Sequence, residues 1–214
     1  MEHFSYIEGD RDIAMTSYAQ NNSPTSVCTW QDRGLDHIFR YYNKQSKRVA
    51  LDLGASYGFF TVGFAQHFET VHSFEINSSI LPHLKVNTSE YRNVTIHEHG
   101  VLDIEGDVSV LDHTHSGYVR ISEGGGVLAK VRTLDSFNFK DVDLIKMDVE
   151  DSEYEVFKGA VNTITNNRPV LLFEWNCSRD LVNENKRQWV FDLLHSLNYR
   201  FVDYRHNDFL FIPE

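Results

Sequence analysis

From residue 48 onward the chain alternates short apolar runs with longer stretches whose apolar residues recur three and four apart. The runs are 48–53, 71–74, 94–96, 142–147 and 170–173. Continuous apolar runs predict strands covered on both faces, and helical stretches between them predict βαβ units built on a parallel sheet. Three intervening helices stand out. One starts near Gly58 and carries Phe60, Phe64 and Phe68; a second follows Asn77 with Ile80, Leu81, Leu84 and Val86; a third follows Asp151 and places Phe157, Ala160, Val161 and Ile164 on one face. Residues 107–132 read differently. Val108, Val110, Val119 and Ile121 alternate with polar residues, and Gly124, Gly125 and Gly126 interrupt before 127–131 resumes, which predicts an inserted antiparallel hairpin or two. Towards the end, 181–197 is helical, and 199–204 pairs with 208–212 across the polar turn 205–207. Residues 1–46 lack a clean period except for Leu35, Ile38, Phe39 and Tyr42 at helical spacing, and are expected to form a cap or lid on a domain spanning 47–214.

Composition agrees with one sizeable domain plus an appendage. The 214 residues are 41% hydrophobic, 24% charged and 13% aromatic, which excludes disorder over most of the chain. A net charge of −11 is the wrong sign for gripping nucleic acid or an anionic membrane. The opening residues lack an apolar h-region and no apolar run approaches bilayer length, so a soluble, cytoplasmic protein is expected. Cys28 and Cys177, the only cysteines, are too few for a disulfide framework and fit a reducing compartment. The sequons at Asn77, Asn87 and Asn93 then read as incidental.

The chemistry begins at 49–62, VALDLGASYGFFTV: a strand ending near Asp52, a glycine-bearing turn and the start of a helix. Such a turn presents backbone N–H groups at the carboxyl end of a parallel strand, where open α/β sheets bind ligands. The glycines are Gly54 and Gly58, with Ser56 where a dinucleotide fingerprint needs its second glycine, and no lysine follows as in a P-loop. A cofactor without phosphates fits better. Glu75 ends the next strand, placed to accept both hydroxyls of a ribose. S-adenosylmethionine has a ribose, no phosphate and a sulfonium cation. Tyr57, Phe59 and Phe60 can offer a π-face to that cation or simply belong to the core, while Asp52 and Asp148 add negative potential.

Five motifs in order carry a family resemblance: 52–61 (DLGASYGFFT), Phe74-Glu75, 132–136 (RTLDS), 143–150 (DLIKMDVE) running into Glu153, and 171–174 (LLFE). Over about residues 48–213 the chain resembles the FkbM family of S-adenosylmethionine-dependent methyltransferases. The resemblance implies an α/β, Rossmann-like class I methyltransferase fold: a seven-stranded, mostly parallel sheet with an antiparallel last strand and helices on both faces. It implies methyl transfer to a hydroxyl of a sugar or other small molecule. Carried over by position, Asp52, Gly54, Ala55, Ser56 and Gly58 would cradle the methionine part, Glu75 the ribose, and His99-Gly100-Val101 the adenine, with Ile76 also among the cofactor-binding residues. Ser56 replaces the family's usual Asn, Ile76 its common Pro, and Asp151 its usual Gly.

A hydroxyl acceptor must lose a proton, so a general base is expected within reach of it. The strand ends supply Asp148, Glu150, Asp151 and Glu174; Glu150 and Glu174 are the expected bases, with Asp148 nearer the cofactor. For Glu150 the plainer alternative is capping of the helix that begins near Ser152. His97 and His99 share a strand face, and His113 and His115 share a loop, but no cysteine or dense carboxylate motif accompanies them and no metal is expected. A Mg²⁺ between Asp148 and Glu174 is the runner-up. The competing functions are methylation of RNA or protein, for which a basic funnel is lacking, and a binding module that keeps the fold without turnover. A homodimer is compatible with every one of these.

Overall fold

A computed structural model describes residues 29–112, 119–121, 126–175, 181–205 and 207–214. In chain order the elements are α1 (Thr29–Tyr41), β1 (Val49–Leu53), α2 (Phe59–Ala65), β2 (Thr70–Phe74), α3 (Leu81–Thr88), β3 (Val94–His97), β4 (Gly100–Val101), β5 (Gly106–Asp112), β6 (Val119–Ile121), β7 (Val127–Arg132), a 3-10 turn (Leu134–Phe137), β8 (Val142–Met147), α4 (Glu153–Lys158), α5 (Val161–Asn167), β9 (Val170–Glu174), α6 (Leu181–Ser196), β10 (Tyr199–Arg205) and β11 (Asp208–Pro213).

Strand β8 explains why apolar runs mark the sheet. All six of its residues are buried, because helices cover both faces. The seven-stranded sheet runs β10-β11-β9-β8-β1-β2-β3. Strand β11 is inserted antiparallel between β9 and β10, and the pairings among β9, β8, β1, β2 and β3 are parallel. Chain order reverses at β1, so β1 and β8 diverge to opposite sides of a switch point and leave a crevice at their carboxyl ends. On one face Leu51, Leu53, Ile145, Met147, Leu171 and Phe173 pack on Val156, Phe157 and Ile164 of α4 and α5 and on Val190 and Leu194 of α6. On the other, Ala50, Leu144, Val170 and Leu172 pack on Ile38, Phe64 and Phe68.

Ile38 of α1 is fully buried in that second layer, and Leu35, Phe39, Tyr41 and Tyr42 pack against it. The connector behind α1 is tied to β8 by charge. Arg48 donates to the buried Asp143 carboxylate from its backbone N (2.8 Å) and its side chain (3.0 Å), Ser46 Oγ at 3.0 Å and Lys44 Nζ at 3.2 Å. Burial alone would raise the Asp143 pKa, but these donors hold it below the usual carboxylate range. The rest of the expected cap, 1–28, lies outside the described residues, as do Cys28, Cys177, His113 and His115.

Two helices depart from the expected pattern. Val86 is 60% exposed, since it stands about 200° around the helix from the buried Leu84. The expected third helix is two, α4 and α5. Gly159 packs against the Leu102 carbonyl where a Cβ would collide, and α5 starts afresh under its own cap. Asp135 supplies that cap, accepting from Thr163 N at 2.7 Å and Asn162 N at 3.0 Å. Phe68 lies beyond the end of α2 yet remains buried in the same layer. The insertion is a four-stranded sheet, β4-β7-β5-β6, in which β5 pairs antiparallel with β6 and β7, and β4 adds in parallel. Among the described residues no helix is long and apolar enough to cross a membrane. Asn87 and Asn93 use their amides inside the protein, donating to Tyr57 O at 2.9 Å and to Ala65 O and Phe68 O at 2.9 Å.

Candidate active site

The turn between β1 and α2 forms as it does because two backbones meet there. Gly54 has φ +75°, and a Cβ on it would run into the Asp148 carbonyl at the end of β8. Its N–H and that of Ala55 both donate to Phe74 O, at 3.1 and 2.9 Å, which lashes the turn to the end of β2. Ser56 is also left-handed (φ 48°) and donates its N–H to Glu75 Oε2 at 2.8 Å, while Asn77 N donates to Glu75 Oε1 at 2.7 Å. Each carboxylate oxygen is therefore fixed by one backbone N–H and keeps lone pairs for a ligand. Burial pushes the Glu75 pKa up, against those hydrogen bonds.

Around this turn lies an open crevice at the carboxyl ends of β1 and β8. Its wall includes Gly54, Ser56, Glu75, Ile76, His99, Gly100, Val101, Asp148 and Glu150 from the expected set. Leu102, Val110 and Val131 close it from the direction of the small sheet, so the hairpin insertion forms a side of the site. His99 is one of the residues of this wall, and its Nδ1, closed off from solvent, has no hydrogen-bond partner among the described residues.

Other expected residues are elsewhere. Asp52 is fully buried beneath the turn, its Oδ2 accepting from Thr61 Oγ1 at 2.6 Å; Thr61 Oγ1 in turn lies 2.8 Å from Ser73 Oγ. Ala55 packs on Leu81 and Leu84. Tyr57 is fully buried against Ile80 and Phe59, so its ring faces the core and no cation in the crevice. Gly58 starts α2 with φ +88° and lets Leu84 pack close. Phe60 does meet a cation, but that cation is Lys146 Nζ, 5.3 Å from its ring centre. His97 is stacked on Phe74 at 4.4 Å with its Nε2 3.1 Å from His72 Nδ1, and it shares the Phe137 ring with His99. Helix α4 begins at Glu153 behind the N-cap position Ser152, and the Glu153 carboxyl reaches back to accept from Val149 N at 3.0 Å.

A second, acidic cavity adjoins the first across Asp148. It is lined by Phe60, Lys146, Met147, Asp148, Leu172, Glu174 and Asp208. Lys146 and Asp208 were passed over in the sequence. Lys146 Nζ donates to Gly54 O at 2.9 Å and lies 3.5 Å from Asp52 Oδ1 and 3.6 Å from Asp148 Oδ2. Burial works against its charge, but Asp148, Asp52 and Asp208 outweigh it and hold the pKa above the ordinary lysine value. A Mg²⁺ between Asp148 and Glu174 would compete with this ammonium. Among the described residues no group of three or more His, Cys, Asp or Glu is arranged to hold a metal.

Asp208 and Glu174 are register partners across β11 and β9, two carboxyls side by side at the strand ends. Burial pushes Glu174 up to about 9, and the charge of Asp148 and a hydrogen bond shared with it push the same way. Burial, then Asp148, pushes Asp208 up to about 7, against the pull of Lys146. Burial also raises Glu153 to about 7. In the unfolded chain such carboxyls titrate near 4, so between about pH 5 and 9 the folded state binds more protons and stability falls as pH rises. With a discount for partial exposure, thermal denaturation at pH 9 is expected about 5 °C below that at pH 5.5, and Glu174→Gln should flatten the slope. A stability rising over that window would contradict the arrangement.

The family model for the methyltransferase FkbM domain matches residues 52–201. Among solved structures, the chain is similar to the methyltransferase FkbM from Methylobacillus flagellatus KT, with 22% identity and a TM-score of 0.59 over 81% of this chain and 46% of that one. It is similar also to precorrin 8W decarboxylase from Methanobacterium thermoautotrophicum, with 14% identity and a TM-score of 0.50 over 85% of this chain and 90% of that one. At these identities the likenesses speak to the fold, and the chain spans less than half the length of the first. A search of curated protein sequences finds no match. The sheet order with its inserted antiparallel strand is that of a class I methyltransferase, and with the model spanning 52–201 the chain belongs to the methyltransferase FkbM domain family.

Proposed function

We propose that this chain is an S-adenosylmethionine-dependent methyltransferase acting on a hydroxyl of a sugar or other small molecule. The observation that carries the cofactor is Glu75: a buried carboxylate on the crevice wall, each oxygen fixed by one backbone N–H and free to accept from a diol. Gly54, Ser56 and the 99–101 turn lie on the same wall as Glu75. Glu75 would hold the ribose, the 99–101 turn the adenine, and Gly54, Ser56 and Asp148 the amino-acid part. When bound, the cofactor supplies an electrophilic methyl group on a sulfonium. Asp148 and Glu150 place negative charge where that cation would sit.

The adjoining acidic cavity is assigned to the acceptor. Phe60 and Leu172 form an apolar side, and Lys146, Glu174 and Asp208 present hydrogen-bonding groups. Burial, reinforced by Asp148, pushes the Glu174 pKa up to about 9, so Glu174 serves there as a donor that orients a hydroxyl. Asp208, balanced near neutrality, is suited to accept the hydroxyl proton, with Glu150 as the base on the far side of Asp148. The surplus of acids disfavours RNA as the acceptor.

Two measurements test this reading. Calorimetric titration with S-adenosylmethionine and S-adenosylhomocysteine should give saturable binding, followed by labelled methyl transfer to a panel of glycans, small alcohols and RNA. Absence of binding would sink the cofactor assignment. Transfer to RNA alone would replace the acceptor class, and binding with no transfer across the panel would favour the silent module.

A further inference from the structure

The turn that joins β8 to α4 brings Val149, Glu150 and Ser152 to the wall of the first crevice. Its path is unusual for its residues. Glu150 (φ 54°) and Asp151 (φ 72°) are consecutive left-handed residues, and neither is glycine. That backbone is unfavourable for any residue with a Cβ, so something must hold it. One end is anchored where Asp148 N donates to Leu53 O at 3.0 Å, and helix α4 begins at the other with Val156 N on Ser152 O at 3.0 Å. Between them the Val149 N–H is taken by Glu153 Oε1 at 3.0 Å, and Glu153 is only 4% exposed.

We propose that Glu153 is a positioning residue: its buried carboxyl clasps the Val149 N–H and so holds the 149–152 turn in the left-handed bend that carries Glu150 and Ser152 to the crevice. Charge is not needed for this. Burial pushes the Glu153 pKa up to about 7, Asp148 and Asp151 add to the rise, and the carbonyl oxygen of either protonation state accepts the same N–H. A glutamine should therefore serve in its place. A glycine at 151 should make the clasp partly dispensable, because glycine adopts φ near +70° unaided.

The effect on ligand affinity rests on reading the crevice as the cofactor's; the effect on the turn does not. Both are measured on the full chain in Glu153→Ala, Glu153→Gln and the double variant Asp151→Gly/Glu153→Ala, by amide exchange at Val149 and by calorimetry with S-adenosylhomocysteine. Glu153→Ala should speed Val149 exchange at least about tenfold and weaken S-adenosylhomocysteine about tenfold, with Glu153→Gln near wild type in both. The double variant should regain most of the lost affinity. Unchanged Val149 exchange in Glu153→Ala would overturn the proposal, as would a glutamine variant as impaired as the alanine one. Should Glu153→Ala fail to fold, a folded double variant supports the clasp and an unfolded one overturns it. A wild type that does not bind S-adenosylhomocysteine, with exchange behaving as described, removes the cofactor reading and leaves the clasp standing.

Discussion

Replacing Lys146 with methionine is expected to cost the fold about 3–5 kcal/mol, seen as a thermal midpoint about 10 °C lower. The side chain would still fill its place beside Phe60, so packing changes little. What is lost is the only positive charge that the described geometry puts against Asp52, which has no exposure to water. Thr61 would remain as its hydrogen-bond donor, and the Gly54 carbonyl would lose its 2.9 Å donor directly under the turn. A buried carboxylate left alone either protonates or draws water in, and each response loosens the end of β1. The double variant Lys146→Met/Asp52→Leu should recover much of the loss, because apolar pairs of similar volume substitute well for buried ion pairs. Scanning calorimetry of the three proteins decides the matter: a drop under about 1 kcal/mol in the single variant would mean the ammonium is not a structural counterion.

Substituting Glu75 by alanine should weaken S-adenosylmethionine about 100-fold or more, since two charge-assisted hydrogen bonds to a ribose disappear together. The same change strands the N–H groups of Ser56 and Asn77, so some loss of stability accompanies it. Affinity and stability separate in the glutamine variant. Its single carbonyl oxygen can satisfy only one of the two N–H groups, and its NH₂ faces the other, so binding should fall less than in alanine while the turn loosens in both. Calorimetric titration alongside thermal scans measures the two effects, and an alanine variant that binds within about twofold of wild type would remove the carboxylate from the cofactor's contacts.

The sheet was legible because its inner strands are buried on both faces. The run 142–147 reads as a strand for the same reason that every residue of β8 is covered. The glycine turn was legible too: Gly54 and Glu75, far apart in sequence, meet through the pairing of β1 with β2. What the sequence hides is pairing that no local pattern encodes. Lys146 sits inside an apolar run and acquires its role only when β1 lies beside β8 and sets Asp52 against it. Asp208 reads as no more than the first residue of a hairpin strand until β11 is placed antiparallel to β9, which puts it opposite Glu174. Tyr57 and Phe59 look able to face a cation from their spacing, but Ile80 draws both into a cluster beside α3. The break between α4 and α5 did leave a signal, Gly159, overridden by the regular spacing of Phe157, Ala160 and Ile164; its cause, the Leu102 carbonyl and the Asp135 cap, comes from a distant segment.

The placement of β11 bears on how the protein assembles. Strands β9 and β10 both precede β11 in the chain, yet β11 occupies the slot between them. The β9–β11 contact is therefore a long-range one whose closure costs loop entropy, while β10 and β11 meet across a short turn. Glu174 and Asp208 face each other only once that long-range pairing has formed, so the raised pKa values of the two carboxyls belong to the completed sheet, and proton uptake by the pair reports the docking of β11.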